Sequence, residues 1–122
     1  MEILGSRPPG FAVYAGDDIF AAPTMLMGGD GAISVIGNKL LEWTAKMTRA
    51  ALQDDAETAR MWHYRLQPLM QANFWETNPA PVKCVLAIMG RIEESLRLPL
   101  TPVSERTHKR LRSLLREMGI LG

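Results

Sequence analysis

The sequence has little of several features that define whole classes of protein. Its 122 residues include a single cysteine, Cys84, which excludes an intrachain disulfide. The two histidines, His63 and His108, have no second ligand three or four residues away, so we expect no metal site. A chain with one thiol fits a reducing compartment, and we expect a cytoplasmic protein.

The chain also lacks an excess of charge of either sign and a long apolar run. The 14 basic and 13 acidic residues leave a net charge of +1, and no apolar run approaches the roughly 20 residues of a membrane span. The basic C-terminal segment 105–117 lacks interleaved aromatic residues, so it indicates a solvated helix face rather than a nucleic-acid patch. We therefore expect no nucleic-acid partner, no membrane partner and no cofactor.

The clearest pattern lies between residues 11 and 38. Two apolar runs, Phe11–Ala15 and Ala32–Ile36, lack the polar alternation of a half-exposed strand, which is typical of strands buried in a parallel sheet. Between them Ile19–Met27 has the composition of a short helix. The order predicts a strand–helix–strand unit of a parallel α/β protein.

After this unit the apolar period changes from 2 to 3.6, which predicts helices for the rest of the chain. Chain-breaking and capping residues place the helix starts near Asn38, Asp54, Pro81 and Thr101. Pro68 is expected to kink or divide the second of these helices.

Asp17 and Asp18 are the strongest chemical candidates, because function gathers at the carboxyl ends of parallel strands. Neighbouring strand residues point in opposite directions, so both cannot face one site. The favoured interpretation is that one caps the next helix and the other forms a structural hydrogen bond. A catalytic pair is the alternative.

Three further candidates have a structural interpretation that we favour. The glycine-rich segment Gly28–Gly31 lacks the spacing of a nucleotide loop and is expected to stop a helix and turn the chain. Lys83 falls in the first turn of a helix, where we expect a surface or turn-stabilising amine. Cys84 lies beside a buried stripe and is expected to be an inert, half-buried thiol.

The chain resembles the dihydrodipicolinate synthase and N-acetylneuraminate lyase family. Four segments carry the resemblance in the order and spacing of that family: Tyr14–Asp18 (YAGDD), Gly28–Val35 (GGDGAISV), Asn78–Lys83 (NPAPVK) and Leu96–Pro102 (LRLPLTP). The resemblance implies an α/β fold, the last two strands of a TIM (β/α)8 barrel followed by a helical C-terminal extension. By this resemblance, residues 1–38 are expected to form the last two strands with the helix between them. Residues 39–122 are expected to form the final barrel helix and the helical extension.

The resemblance also implies chemistry. Members of this family are pyruvate-dependent class I lyases, in which a barrel lysine forms a Schiff base with pyruvate. The synthases add aspartate semialdehyde on the route to lysine and diaminopimelate. Ile33 and Gly16 match family positions that line the pyruvate pocket, so they are the expected substrate-binding residues. The Schiff-base lysine lies on a strand before Phe11, so no catalytic residue is expected in this chain.

Two functions follow as alternatives. The chain is a C-terminal piece of a synthase-type lyase, inactive until it associates with the rest of the barrel. Otherwise it is a non-catalytic helical module that docks with other subunits, a truncated remnant, or a piece of another pyruvate aldolase of the same family. In either case we expect homo-oligomers or association with the complementary barrel part.

Overall fold

The computed structural model describes residues 2–122, which divide into two compact units, one up to Gln67 and one from Pro68 onwards. The elements of the described residues are α1 (Glu2–Ser6), β1 (Tyr14–Ala15), α2 (Ala21–Leu26), β2 (Gly31–Ala32), α3 (Leu41–Leu52), α4 (Ala56–Ala72), α5 (Ala80–Ile88) and α6 (Glu105–Glu117). Helix α4 runs across the boundary between the two units.

The two strands of the first unit pair side by side in parallel. The register sets Tyr14 opposite Gly31 and Ala15 opposite Ala32. One more hydrogen bond extends the contact, because the backbone N–H of Ile33 donates to the carbonyl of Ala15 at 2.8 Å. A parallel pair needs a crossover connection, which α2 supplies. The predicted strand–helix–strand unit is confirmed.

Both strands are shorter than the predicted ranges Phe11–Ala15 and Ala32–Ile36. The second strand ends early because the N–H groups of Val35 and Ile36 donate to the carboxylate of Asp18, at 3.0 and 2.7 Å. A side chain thus takes backbone donors that a longer ladder would have used. The apolar run continues past the point where pairing stops.

The crossover helix begins two residues later than predicted. A 3₁₀ turn at Asp18–Phe20 precedes α2 where the pattern indicated one helix over Ile19–Met27. The Oδ1 of Asp17 accepts from the N–H of Ile19 at 3.2 Å, so Asp17 is the cap of this turn. Gly28, with a φ of 93°, then lets the chain leave the helix.

Asn38 is not the N-cap of the next helix, which corrects the sequence prediction. It closes a 3₁₀ turn at Ile36–Asn38, and its side-chain Nδ2 donates to the carbonyl of Val35 at 3.1 Å. A cap needs a side-chain oxygen that accepts from the helix, whereas this amide donates backwards. Helix α3 therefore starts at Leu41 without a side-chain cap.

The start of α4 is displaced by one residue from the prediction. Asp54 has a φ of 58° and belongs to the turn, while the Oδ1 of Asp55 accepts from the N–H of Thr58 at 3.1 Å. Asp55 is therefore the cap. Of the two predicted effects of Pro68, a kink or a division, the division does not occur, since α4 continues as one helix to Ala72.

Small and flexible apolar side chains fill the interior of the first unit. The fully buried members with less than 4% exposure are Ala21, Ala22, Met25, Ile36, Met47, Ala51, Ala59 and Leu66. Alanine and methionine dominate this group, so the helices approach closely and methionine fills the irregular gaps. The many methionines of the sequence are thus accounted for in part by packing.

In the second unit, α5 starts at Ala80 with Pro81 in its first turn, and Gly90, with a φ of 69°, follows its end. Residues 91–100 contain no helix or strand, as predicted for an ordered connection. At the other end of the unit, the backbone N–H of Ile120 donates to the carbonyl of Leu115 at 2.9 Å, which closes α6.

The predicted cap of α6 at Thr101 is wrong, because the helix begins three residues later. The Oγ of Ser104 accepts from the N–H of Thr107 at 3.3 Å, which makes Ser104 the cap. Glu76 supports it from outside the helix, since its carboxylate accepts from the N–H and the hydroxyl of Ser104 at 3.1 and 2.7 Å. Serine and threonine are both good caps, so only these contacts decide between them.

We predict that Ser104→Ala lowers the free energy of unfolding of the second unit by about 1–2 kcal/mol, because a cap and a partner of Glu76 are lost together. Thr101→Ala is the matched control and should stay within about 0.5 kcal/mol of the native chain. Urea unfolding followed by the NMR signals of the α6 amides measures both. Equal effects of the two substitutions would contradict this assignment of the cap.

Candidate substrate-binding site

The carboxyl ends of β1 and β2 lie at the same edge of the parallel pair. Gly16 directly follows β1 and Ile33 directly follows β2, so the register brings the two predicted binding residues side by side. Ile33 is 71% exposed, and a Cβ added at Gly16 would meet no heavy atom within 4 Å beyond its chain neighbours. In parallel α/β folds this edge is where ligands bind, so it is the candidate site.

The carboxylate of Asp18, three residues beyond the end of β1, is buried, with 2% exposure. Its Oδ1 accepts from the hydroxyl of Ser34, and its Oδ2 accepts from the N–H groups of Val35 and Ile36. The Oγ of Ser34 in turn accepts from the N–H of Gly37 at 2.8 Å. We call this set of contacts the Asp18 cradle. It ties the end of β1 to the segment that follows Ile33.

The cradle decides between the two interpretations of the paired aspartates. Asp17 caps the 3₁₀ turn and Asp18 holds the neighbouring chain, so each carboxylate has a structural task. The favoured interpretation from the sequence is confirmed, and a catalytic aspartate pair has no support in this geometry.

Lys39 is a buried lysine that the sequence analysis did not single out. It directly follows the 3₁₀ turn at Ile36–Asn38 and is 1% exposed. Burial lowers the pKa of Lys39 from 10.5 to about 8, while the charge of Asp18 acts in the opposite direction. No sequence signal distinguishes it, because its burial follows from the turn that precedes α3.

A second carboxylate holds the amino ends of the strands. Asp30 forms an ion pair with Arg7 and accepts from the N–H of Val13 at 2.8 Å, and Arg7 also donates to the carbonyl of Gly28 at 2.9 Å. The hydrogen bond from Val13, followed by that from Arg7, lowers the pKa of Asp30. Asp18 and Asp30 thus fix opposite ends of the same strand pair.

The remaining sequence candidates have structural tasks. The Nζ of Lys83 donates to the carbonyl of Ser95 at 2.7 Å, so it stabilises the connection after α5. Cys84 is fully buried, and burial raises its pKa to about 12, assisted by the charge of Glu94. A thiol with such a pKa is not a nucleophile at neutral pH. The turn-stabilising role of Lys83 is confirmed, whereas Cys84, expected to be half-buried, is fully buried because it packs in the core of this unit.

The glycine-rich segment also has a packing explanation. A Cβ at Gly29 would lie 2.8 Å from the carbonyl oxygen of Thr24, so only glycine fits at the end of α2. Within residues 2–122 no group of three or more histidine, cysteine, aspartate or glutamate side chains is placed to hold a metal ion. No helix in the described part of the chain is long and apolar enough to cross a membrane.

A parallel strand pair joined by a crossover helix and followed mainly by helices defines an α/β fold. The chain belongs to the dihydrodipicolinate synthetase family, whose model matches residues 1–118. It is 52% identical over 120 residues to the 4-hydroxy-tetrahydrodipicolinate synthase of Acidobacterium capsulatum, covering 98% of this chain and 40% of that protein. It is 50% identical over 113 residues to the synthase of Salinibacter ruber, covering 93% of this chain and 37% of that protein.

Solved structures agree with this assignment. The dihydrodipicolinate synthase of Aquifex aeolicus superposes with a TM-score of 0.94 at 38% identity, covering 98% of this chain and 41% of that one. The chloride-inhibited dihydrodipicolinate synthase of Acinetobacter baumannii, complexed with pyruvate, superposes with a TM-score of 0.89 at 39% identity. The match covers 91% of this chain and 38% of that one. The predicted fold class, part of a TIM barrel with a helical extension, is confirmed. The chain spans about 40% of the length of the curated relatives.

We predict that the first unit becomes more stable as the pH rises from about 8 towards 10.5. In this range Lys39 keeps its proton in the unfolded chain but has released it in the folded chain, because burial lowers its pKa. The free energy of unfolding therefore rises with pH, by on the order of 3 kcal/mol over the whole range. Urea unfolding at pH 7.5 and pH 9, followed by tryptophan fluorescence, measures this rise.

Lys39→Met should flatten the rise, whereas the control Lys46→Met, on the exposed face of α3, should retain it. The comparison between variants removes the contributions of other groups that titrate in this range. A rise of the same size in all three chains would contradict the assignment to Lys39.

Proposed function

We propose that this chain supplies the last two strands and the helical extension of a pyruvate-dependent lyase of the dihydrodipicolinate synthase type. The observation that carries the proposal is the open carboxyl edge, where Gly16 and the exposed Ile33 lie side by side. Both residues are proposed to line the pyruvate pocket. Relatives named as synthases, and the complex of one such enzyme with pyruvate, support this choice of substrate.

The proposed activity needs a lysine from another part of the barrel. A Schiff-base lysine must be accessible to pyruvate, but Lys39, which directly follows the turn after the edge, is buried. Lys46 forms an ion pair with Glu42 on the surface of α3, and Lys83 is held by Ser95. Lys109 is exposed on α6, in the second unit, away from the strand pair of the first unit in the chain. We therefore propose that the chain alone is inactive.

Exposed apolar side chains around the strand pair support association with further barrel strands. Phe11, Tyr14, Ile33 and Leu41 are 56%, 55%, 71% and 71% exposed. Among residues 2–122 both outer edges of the strand pair lack a strand neighbour, and such edges tend to pair with other chains. We propose the complementary barrel part as the partner, with residues 1–38 as barrel segment and residues 39–122 as final barrel helix and extension. Assembly into homo-oligomers in the cytoplasm would follow.

Trapping with pyruvate and borohydride tests the proposal. The chain alone should form no covalent adduct on any of its four lysines, at positions 39, 46, 83 and 109. Co-expressed with the part of the Acidobacterium capsulatum synthase that it does not match, it should form a complex whose adduct lies on the added part. Mass spectrometry of tryptic peptides locates the adduct. An adduct on a lysine of this chain would overturn the proposal.

The variant Gly16→Leu tests whether trapping in the complex depends on the open space at the carboxyl edge of the strands. A leucine side chain would fill the open space at the edge, so trapping in the complex should fall by about tenfold or more. Gly5→Leu is the matched control, since a Cβ at Gly5 also meets no atom within 4 Å, and it should leave trapping unchanged. Association without any trapping would favour the alternative, a non-catalytic docking module.

A further inference from the structure

A cleft in the second unit has no part in the proposed lyase chemistry. It lies between residues 94–103 and the first two turns of α6, and its volume is about 400 Å³. Small-molecule sites in proteins have volumes of about 300–1,000 Å³, so a small metabolite fits in this cleft. The residues that line it are Glu94, Pro102, Val103, Glu105, His108 and Lys109. We call this set of residues the Glu94 cleft.

One carboxylate oxygen of this cleft lacks a hydrogen-bond donor. The Oε1 atom of Glu94 is buried and accepts no hydrogen bond from any of residues 2–122. A buried polar atom without a partner costs free energy, so each such atom in a native structure calls for an explanation. The torsion of the last side-chain bond of glutamate is broad, so rotation of the carboxylate brings either oxygen to the cleft. A ligand that satisfies it must donate a hydrogen bond, and an ammonium group does so most strongly.

The α6 side of the cleft carries charges of both signs. Glu105 and Lys109 are exposed and stand four residues apart on α6, the spacing at which helix side chains form ion pairs. Within the described part of the chain, however, no ion pair joins these two side chains, and none involves His108. The ammonium group of Lys109 is therefore available to an anionic group in the cleft.

These side chains together select a ligand that carries two opposite charges. An ammonium group of the ligand satisfies the carboxylate of Glu94, and a carboxylate group accepts a charge-assisted hydrogen bond from Lys109. A ligand with a positive charge alone would be repelled by Lys109, and one with a negative charge alone by Glu94. Pro102 and Val103 add apolar surface, which favours a short aliphatic substituent between the two charges.

We propose that the Glu94 cleft binds a free α-amino acid with a small aliphatic side chain. Glu94 holds its ammonium group, Lys109 holds its carboxylate, and Val103 contacts its side chain. The proposal does not rest on the proposed function, because the cleft is built only from residues between 94 and 109 and none of them belongs to the strand pair.

Titration of the full chain with L-valine, followed by NMR of its ¹⁵N-labelled amides, tests the proposal. The amide signals of Glu94 and of residues 103–109 should shift together, with a dissociation constant below about 1 mM. Isobutylamine keeps the ammonium group of valine without its carboxylate, and isovalerate keeps the carboxylate without the ammonium group. Each should bind about tenfold more weakly, because one charge-assisted hydrogen bond is lost. Equal binding of the three compounds, or no shift at about 20 mM valine, would overturn the proposal.

Two pairs of variants locate the ligand in the cleft. Glu94→Gln keeps the size of the side chain but removes its charge, so the affinity for L-valine should fall by about tenfold. Its exposed neighbour Glu93 does not line the cleft, and Glu93→Gln should bind valine as the native chain does. Lys109→Met should weaken the binding of valine by about fivefold or more but should not weaken that of isobutylamine, which has no carboxylate. Arg116→Met, on the same helix, is its control and should change neither affinity.

The exposed position of Lys109 keeps the test decisive if Glu94→Gln does not fold. Its substitution leaves no buried group without a partner, so the amide spectrum outside the cleft should remain native. Native affinity for valine in Lys109→Met, or an equal loss of valine and isobutylamine binding, would contradict the assignment of the ligand carboxylate to this lysine and with it the proposed site.

Discussion

The buried carboxylate of Asp18 is the interaction on which the candidate site depends. It ends the second strand by taking the N–H groups of Val35 and Ile36, and it is itself placed by the end of the first strand. The shared edge of the two strands is thus defined by a side chain as much as by the backbone ladder. Removing it would leave buried backbone donors without an acceptor, which is costly in a protein interior.

The placement of Asp18 explains why the strand ends are well defined although each strand pairs over only two residues. Asp30 and Arg7 fix the amino ends in a similar way, so the pair is held at both ends by carboxylates. The positions of Gly16 and Ile33 at the open edge are therefore fixed although the strand pair is short. In relatives of about two and a half times this length, the same segment has further chain around it.

The order of elements, the parallel pairing and the family could be predicted from the sequence, because they depend on apolar periodicity and on motifs that are contiguous in the chain. Helix starts were predicted less well. Thr101 and Ser104, or Asp54 and Asp55, are chemically equivalent as caps, and only the surrounding hydrogen bonds select one. The burial of Lys39 could not be predicted, since it arises from a 3₁₀ turn that the helical period does not reveal.

The most direct measurement of the central claim is NMR of the scalar couplings that pass through hydrogen bonds. The amide nitrogens of Val35 and Ile36 should both show couplings to the side-chain carboxyl carbon of Asp18. Couplings from these amides to backbone carbonyl carbons of the first strand instead, with none to Asp18, would contradict the account.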